Sequence, residues 1–167
     1  MAALCLTGCW EMGRAGDAKI PGELLGDYSV KAELQNSTCG EGALGSQEEW
    51  QFDVRLSRKG SLLYWLNGRE AISGNIAADG VSFAIETNVK VEALSPGRGR
   101  LGCTIWRSDR TSGKLMGQAE DVPGFTGQLG FAYTPEGNSD CTELMGVAGG
   151  FAGLPCEMTY AYSAVRR

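Results

Sequence analysis

Histidine is missing from all 167 residues. That gap excludes Ser-His-Asp and Cys-His nucleophile machinery, imidazole-ligated metal sites, and the side chain that ordinarily moves protons near neutral pH. Positive charge is also short, with 15 Lys and Arg against 20 Asp and Glu and a net charge of −5. An acidic chain is repelled by a phosphate backbone, so nucleic acid is not expected as a partner. No run approaches the roughly 18 consecutive apolar residues of a membrane-crossing helix. The cysteines form no Cys-x-x-Cys pair and have no His to join them, so no zinc site and no cofactor are expected.

What is present is glycine and alternation. Glycine, at 25 residues, is roughly twice its usual share and is spread along the chain, which suits a fold with many tight turns. Tyr28, Val30, Ala32 and Leu34 alternate with polar residues, as do Trp50, Phe52, Val54 and Leu56. The same period of two runs through Val81–Val91, through Phe125–Tyr133 and through Met158–Ala164. It is the pattern of half-buried antiparallel strands. Shorter strands are expected over 61–66, 70–77, 101–107 and 114–118. Arg58-Lys59-Gly60, Asn67-Gly68, Asp79-Gly80 and Ser112-Gly113 are expected at hairpin turns, where positive φ is needed. About nine strands at roughly ten-residue spacing predict an all-β meander. To hide its edges it is expected to form a small antiparallel barrel or a sandwich of about eight to nine strands. Three longer connections, 36–49, 93–100 and 134–155, are the places where binding sites are usually carried, and the last is expected to hold a short helical turn near 142–147. A membrane-spanning barrel has the same period, but several of the expected strands fall short of the roughly 9–11 residues it needs.

The first nine residues end in Leu6-Thr7-Gly8-Cys9, which has the form of a bacterial lipobox with Cys9 as the lipidated residue. Only eight residues precede Cys9, too few for a full signal, so a start assigned too late is expected. Residues 1–9 are therefore read as residual signal and lipobox, 10–25 as a flexible tether, and 26–167 as the all-β domain. In an exported chain, Cys39, Cys103, Cys141 and Cys156 are expected to form two disulfides. Four cysteines allow three pairings. If the first and last strands are antiparallel neighbours, Cys39 pairs with Cys156, leaving Cys103 for Cys141.

Few motifs carry chemistry. Gly97–Gly102 matches the dinucleotide-binding glycine pattern, but a strand follows it where that motif needs a helix. Asn36-Ser37-Thr38 is a glycosylation sequon, incidental in a bacterial lipoprotein. Glu48/Glu49, Glu120/Asp121 and Asp140/Glu143 are candidate acid–base pairs that read as solvated loop charges. Tyr64, Trp65 and Trp106 sit in strands with bulky residues on both faces, so an outward aromatic is expected there, a possible binding surface.

With Gly26-Asp27-Tyr28, Ser37-Thr38-Cys39-Gly40, Tyr64-Trp65 and Leu154-Pro155-Cys156 in place, the chain resembles uncharacterised small bacterial lipoproteins that carry a compact, disulfide-stapled β domain. Gly26-Asp27-Tyr28 is similar to the early Gly-x-Trp motif of lipocalins, with Tyr in place of Trp. The resemblance implies a cell-envelope address, lipid-anchored in the periplasm or on the surface, or secreted, and contact with membrane only through the N-terminal anchor. The leading expectation is a non-enzymatic barrel binding a small ligand or an envelope protein. The alternatives are a secreted inhibitor or interaction module acting through the 134–155 loop, and a small hydrolase.

Overall fold

The computed structural model describes residues 20–43, 47–68, 70–97, 99, 101–118, 121–146 and 150–167. Cys9 and its lipobox, the tether as far as residue 19, Arg98, Arg100, Glu120 and Val147 lie outside the described residues.

Eight antiparallel strands, each paired with the next in sequence, close into a single barrel. They are β1 (Glu23–Ser37), β2 (Glu49–Lys59), β3 (Leu62–Leu66), β4 (Ile72–Ile76), β5 (Ser82–Leu94), β6 (Cys103–Leu115), β7 (Gly124–Pro135) and β8 (Cys156–Arg166). An up-and-down meander with an even strand number brings its last strand back antiparallel to its first. Closure follows that rule, with Val30 opposite Ala164 and Leu34 opposite Tyr160. The sandwich alternative is thereby set aside. The apolar rows point inward: Tyr28, Val30, Val54, Leu56, Phe125 and Tyr160 are buried. The alternate row of β1, with Ser29, Lys31 and Glu33, is exposed.

The sequence expectations need three corrections. Strands expected over 101–107 and 114–118 are one continuous β6, which is why there are eight strands and not nine. Ser112-Gly113 is no turn. Gly113 lies opposite Gly127 in the β6–β7 ladder, and a Cβ at either position would come within 2.6 Å of the Tyr162 hydroxyl. These glycines make room for a large side chain inside the barrel. The actual β6–β7 turn is built on Gly117 at φ 84°, where a Cβ would meet the Asp121 carbonyl at 2.3 Å. The tether expected over 10–25 overlaps the barrel, because β1 begins at Glu23, Ile20 and Leu25 are buried, and the Ser57 hydroxyl donates to the Pro21 carbonyl.

One end of the barrel is shut. The Tyr28 hydroxyl donates to the Val122 carbonyl at 2.9 Å, and Arg166 donates to the Leu25 carbonyl and pairs with Asp121 at 3.0 Å. Above this floor Phe125 is the hub of a solid core, in edge contact with Tyr28, Trp65, Phe83 and Tyr162 at centroid distances of 5.1 to 6.1 Å. The three long connections gather at the opposite end, because each follows an odd-numbered strand. Both disulfides are there too: Cys39–Cys156 joins the end of β1 to the start of β8, and Cys103–Cys141 ties the start of β6 to the 136–155 connection. Two disulfides mark a chain that folds in an oxidising compartment outside the cytoplasm.

Candidate functional site

The open end is where the wall thins. β3 and β4 have five residues each, whereas β2 has 11 and β5 has 13. The β4–β5 ladder stops at Ala84, so from Ile85 onward β5 is laddered only to β6 among the described residues. Likewise β2 from Glu49 to Val54 is laddered only to β1. Among the described residues, the short hairpin therefore leaves the upper part of β2 and β5 without a strand laddered between them. The effect shows in Val89 and Val91, which lie on the inward row yet are 48% and 40% exposed.

Behind that opening is a cavity of about 350 Å³. Val91 and Ala93 of β5, Ile105 and Arg107 of β6 and Tyr133 of β7 form its walls. Its lid comes from two connections: Gly42 and Ala43 on one, Leu144, Gly150 and Phe151 on the other. The lid is fixed. Phe151 is buried and stacks edge-on against Tyr133 at 5.3 Å. The Ala152 amide donates to the Cys39 carbonyl at 2.7 Å, and the Phe151 amide to the Leu144 carbonyl at 3.0 Å. The expected helical turn near 142–147 is present as a short 3-10 helix, Thr142–Leu144, and the Thr142 amide and hydroxyl donate to the Asp140 carboxylate. The described residues of the 136–155 connection thus pack back on the mouth.

Among these lining residues Arg107 is the charged one. Asp109, two residues along the same inward row, accepts from its Nε at 2.6 Å and also from Nη2. This pairing raises the Arg107 guanidinium pKa above its already high ordinary value. Burial raises the Tyr133 phenol pKa, an effect that Arg107 partly offsets. The guanidinium also lies 5.8 Å from the Phe131 ring centroid. Phe131 in turn belongs to an aromatic cluster with Trp50 and Tyr160 at 5.9 and 6.2 Å. The indole Nε1 of Trp50 is buried there without a hydrogen-bond partner.

The aromatics expected as a binding surface are not brought together. Trp65 is 3% exposed and faces the core, where it contacts Phe52, Phe125 and Tyr162. Tyr64 is half-buried on β3, beside Ser57 and Ser73. Trp106 is 43% exposed on β6, with two strands between it and β3, and Lys90 lies over its ring at 5.7 Å. On each strand one bulky residue fills the core, Trp65 on β3 and Ile105 on β6, while Tyr64 is half-buried and Trp106 exposed on the outer face. Sequence reasoning missed Arg107 because a charge on an inward row interrupts the very alternation that identifies the strand. Its spacing from Asp109, i to i+2 on one face, is the signal that could have found it.

Glu48 and Glu49 line an open groove of about 610 Å³ beside Glu33, Leu34 and Asn36. Glu49 is held by Lys31 at 2.9 Å, whose hydrogen bond lowers its pKa. Asp140 and Glu143 flank a depression of only about 60 Å³, too small for a sugar ring, and Glu120 is outside the described residues. Gly97 and Gly102 lie in the β5–β6 connection and lead into a strand. Asn36 is exposed near the end of β1. No family model, no curated protein and no solved structure matches this chain.

Proposed function

We propose that this chain is a ligand-binding β-barrel of the bacterial cell envelope, lipid-anchored through Cys9, whose open end holds a small, largely apolar molecule. The observation that carries this reading is the cavity of about 350 Å³, walled by Val91, Ala93, Ile105 and Phe151. It falls within the roughly 300–1,000 Å³ range of small-molecule sites and has the composition typical of them, apolar walls with few polar groups. The position supports it as well: the rest of the interior is solid aromatic core, and the two disulfides brace the connections that roof the cavity. The inhibitor alternative needs a protruding 134–155 loop, and the packed lid offers no support for it.

The test is titration of the purified domain with a neutral, polarity-sensitive dye such as N-phenyl-1-naphthylamine. Saturable enhancement in the wild type, abolished by Ala93→Trp at unchanged thermal stability, is the expected result. Equal enhancement in Ala93→Trp, or none in either protein, contradicts the reading. The anchor is tested separately. Cys9→Ser should move the full-length protein from the membrane fraction to the soluble periplasmic fraction, and membrane retention would rule Cys9 out as the anchor.

A further inference from the structure

Resting on that reading of the cavity, we infer that its ligand is an amphipathic monocarboxylate, with its apolar body among Val91, Ala93 and Ile105 and its carboxylate on Arg107.

The guanidinium has three surfaces, and two are occupied. Its face lies toward the Phe131 ring. Its Nε–Nη2 edge is taken by Asp109. Five N–H donors are available in a guanidinium, and Asp109 uses two. The edge that remains is the outer fork of Nη1 and the second Nη2 hydrogen, and Nη1 makes no hydrogen bond among the described residues. This fork is the one that matches the two oxygens of a carboxylate. Arg107 lines the cavity, whereas Asp109 and Phe131 do not. The exposures agree: the Arg107 side chain is 43% accessible and the Asp109 side chain 24%. The cationic member of the pair is thus among the lining residues and the anionic member is not.

A guanidinium with an open fork in an apolar cavity selects against amines and favours acids over alcohols of the same length. Asp109 moderates this attraction, because the bound carboxylate and Asp109 share one positive charge. Length follows from volume. At the ~30 Å³ that a water-sized group occupies in a liquid, a cavity of about 350 Å³ holds about a dozen non-hydrogen atoms. Decanoate has that size.

Calorimetric titration of the whole domain with decanoate, decan-1-ol and decylamine tests the assignment. Decanoate should bind about tenfold tighter than the alcohol, the equivalent of one charge-assisted hydrogen bond, and the amine should bind weakest. Arg107→Met should remove the preference for acid over alcohol. Asp109→Asn should increase it, since the guanidinium then has no competing anion, and this variant keeps the test alive if Arg107→Met does not fold. Equal binding of decanoate and decan-1-ol by the wild type would overturn the carboxylate assignment while leaving the ligand-binding reading standing. So would a preference unchanged in Asp109→Asn or retained in Arg107→Met. Binding of none of the three by the wild type would overturn both.

Discussion

The hydroxyl of Tyr162 stands 2.5 Å from where a Cβ on Gly113 would be, and it donates a hydrogen bond at 3.2 Å to the carbonyl of Ser112 next to that glycine. One large side chain from β8 thus fills a space that two facing glycines leave open. A Cβ on Gly113 would also come within 2.5 Å of the Thr126 carbonyl, so Gly113→Ala must move backbone as well as side chain. Gly113→Ala should cost about 1–3 kcal/mol, the usual range for overpacking. Tyr162→Phe should cost about 1 kcal/mol for the lost hydrogen bond. The double variant should be more stable than the sum implies, because the hydroxyl clash is gone. A double-mutant cycle in urea checks this, and strict additivity would mean that the hydroxyl does not occupy the glycine gap.

The tryptophans divide by face. Trp65→Ala empties the core beside Phe125 and Tyr162 and should cost about 3–5 kcal/mol. Trp106→Ala should change stability by no more than about 0.5 kcal/mol, as expected of an exposed site. Urea midpoints for the two variants provide the comparison.

The disulfides should differ in weight. Cys39–Cys156 closes a sequence separation of 117 and Cys103–Cys141 one of 38. On the chain-entropy relation the first contributes about 5 kcal/mol and the second about 4 kcal/mol. Removing each as a double Cys→Ala variant should therefore lower stability more for 39/156. Removal of the second should also loosen the 136–155 lid, which hydrogen exchange at the Phe151 and Ala152 amides would register.

Asp79 governs part of the acid behaviour. Hydrogen bonds from the Ser82 side chain, and from the Ser82 and Val81 amides, lower its pKa from 3.8 to about 2. A carboxyl depressed on folding adds stability that is present above its unfolded pKa and lost as pH falls through the folded one. The loss attributable to this turn should fall between about pH 4 and pH 2, and Asp79→Ala should flatten that part of the stability curve. Burial acts in the other direction on Tyr162, raising its phenol pKa well above 10.0. A phenol raised on folding stabilises fully below its unfolded pKa, so stability should decline above about pH 10, and less so in Tyr162→Phe. Thermal melts across both ranges decide the point.

Much of the architecture was legible because period-two alternation and core burial are the same fact seen twice. Tyr28 through Leu34 reads as an inward row because each apolar residue there is packed in the barrel. The Cys39–Cys156 pairing was readable only on the condition that the first and last strands are antiparallel neighbours, and the closed eight-strand barrel meets that condition. What could not be read were features that depend on a partner across the sheet. Gly113 looks like a turn until Gly127 and Tyr162 are opposite it. Trp65 looks like a surface aromatic until the barrel closes around it. The cavity was least legible, because it arises from a mismatch in strand lengths, with β3 and β4 too short to cover β5, and no single residue records that mismatch.

The central claim, that the open end is a ligand cavity over a solid core, is tested most directly by methyl NMR during titration with decan-1-ol. Saturable shifts confined to the methyl groups of Val91, Ala93, Ile105 and Leu144, with Val54 and Leu63 of the lower core unmoved, are the predicted result. No saturable shift, or shifts centred on outer-wall residues such as Leu24 and Val165, would contradict it.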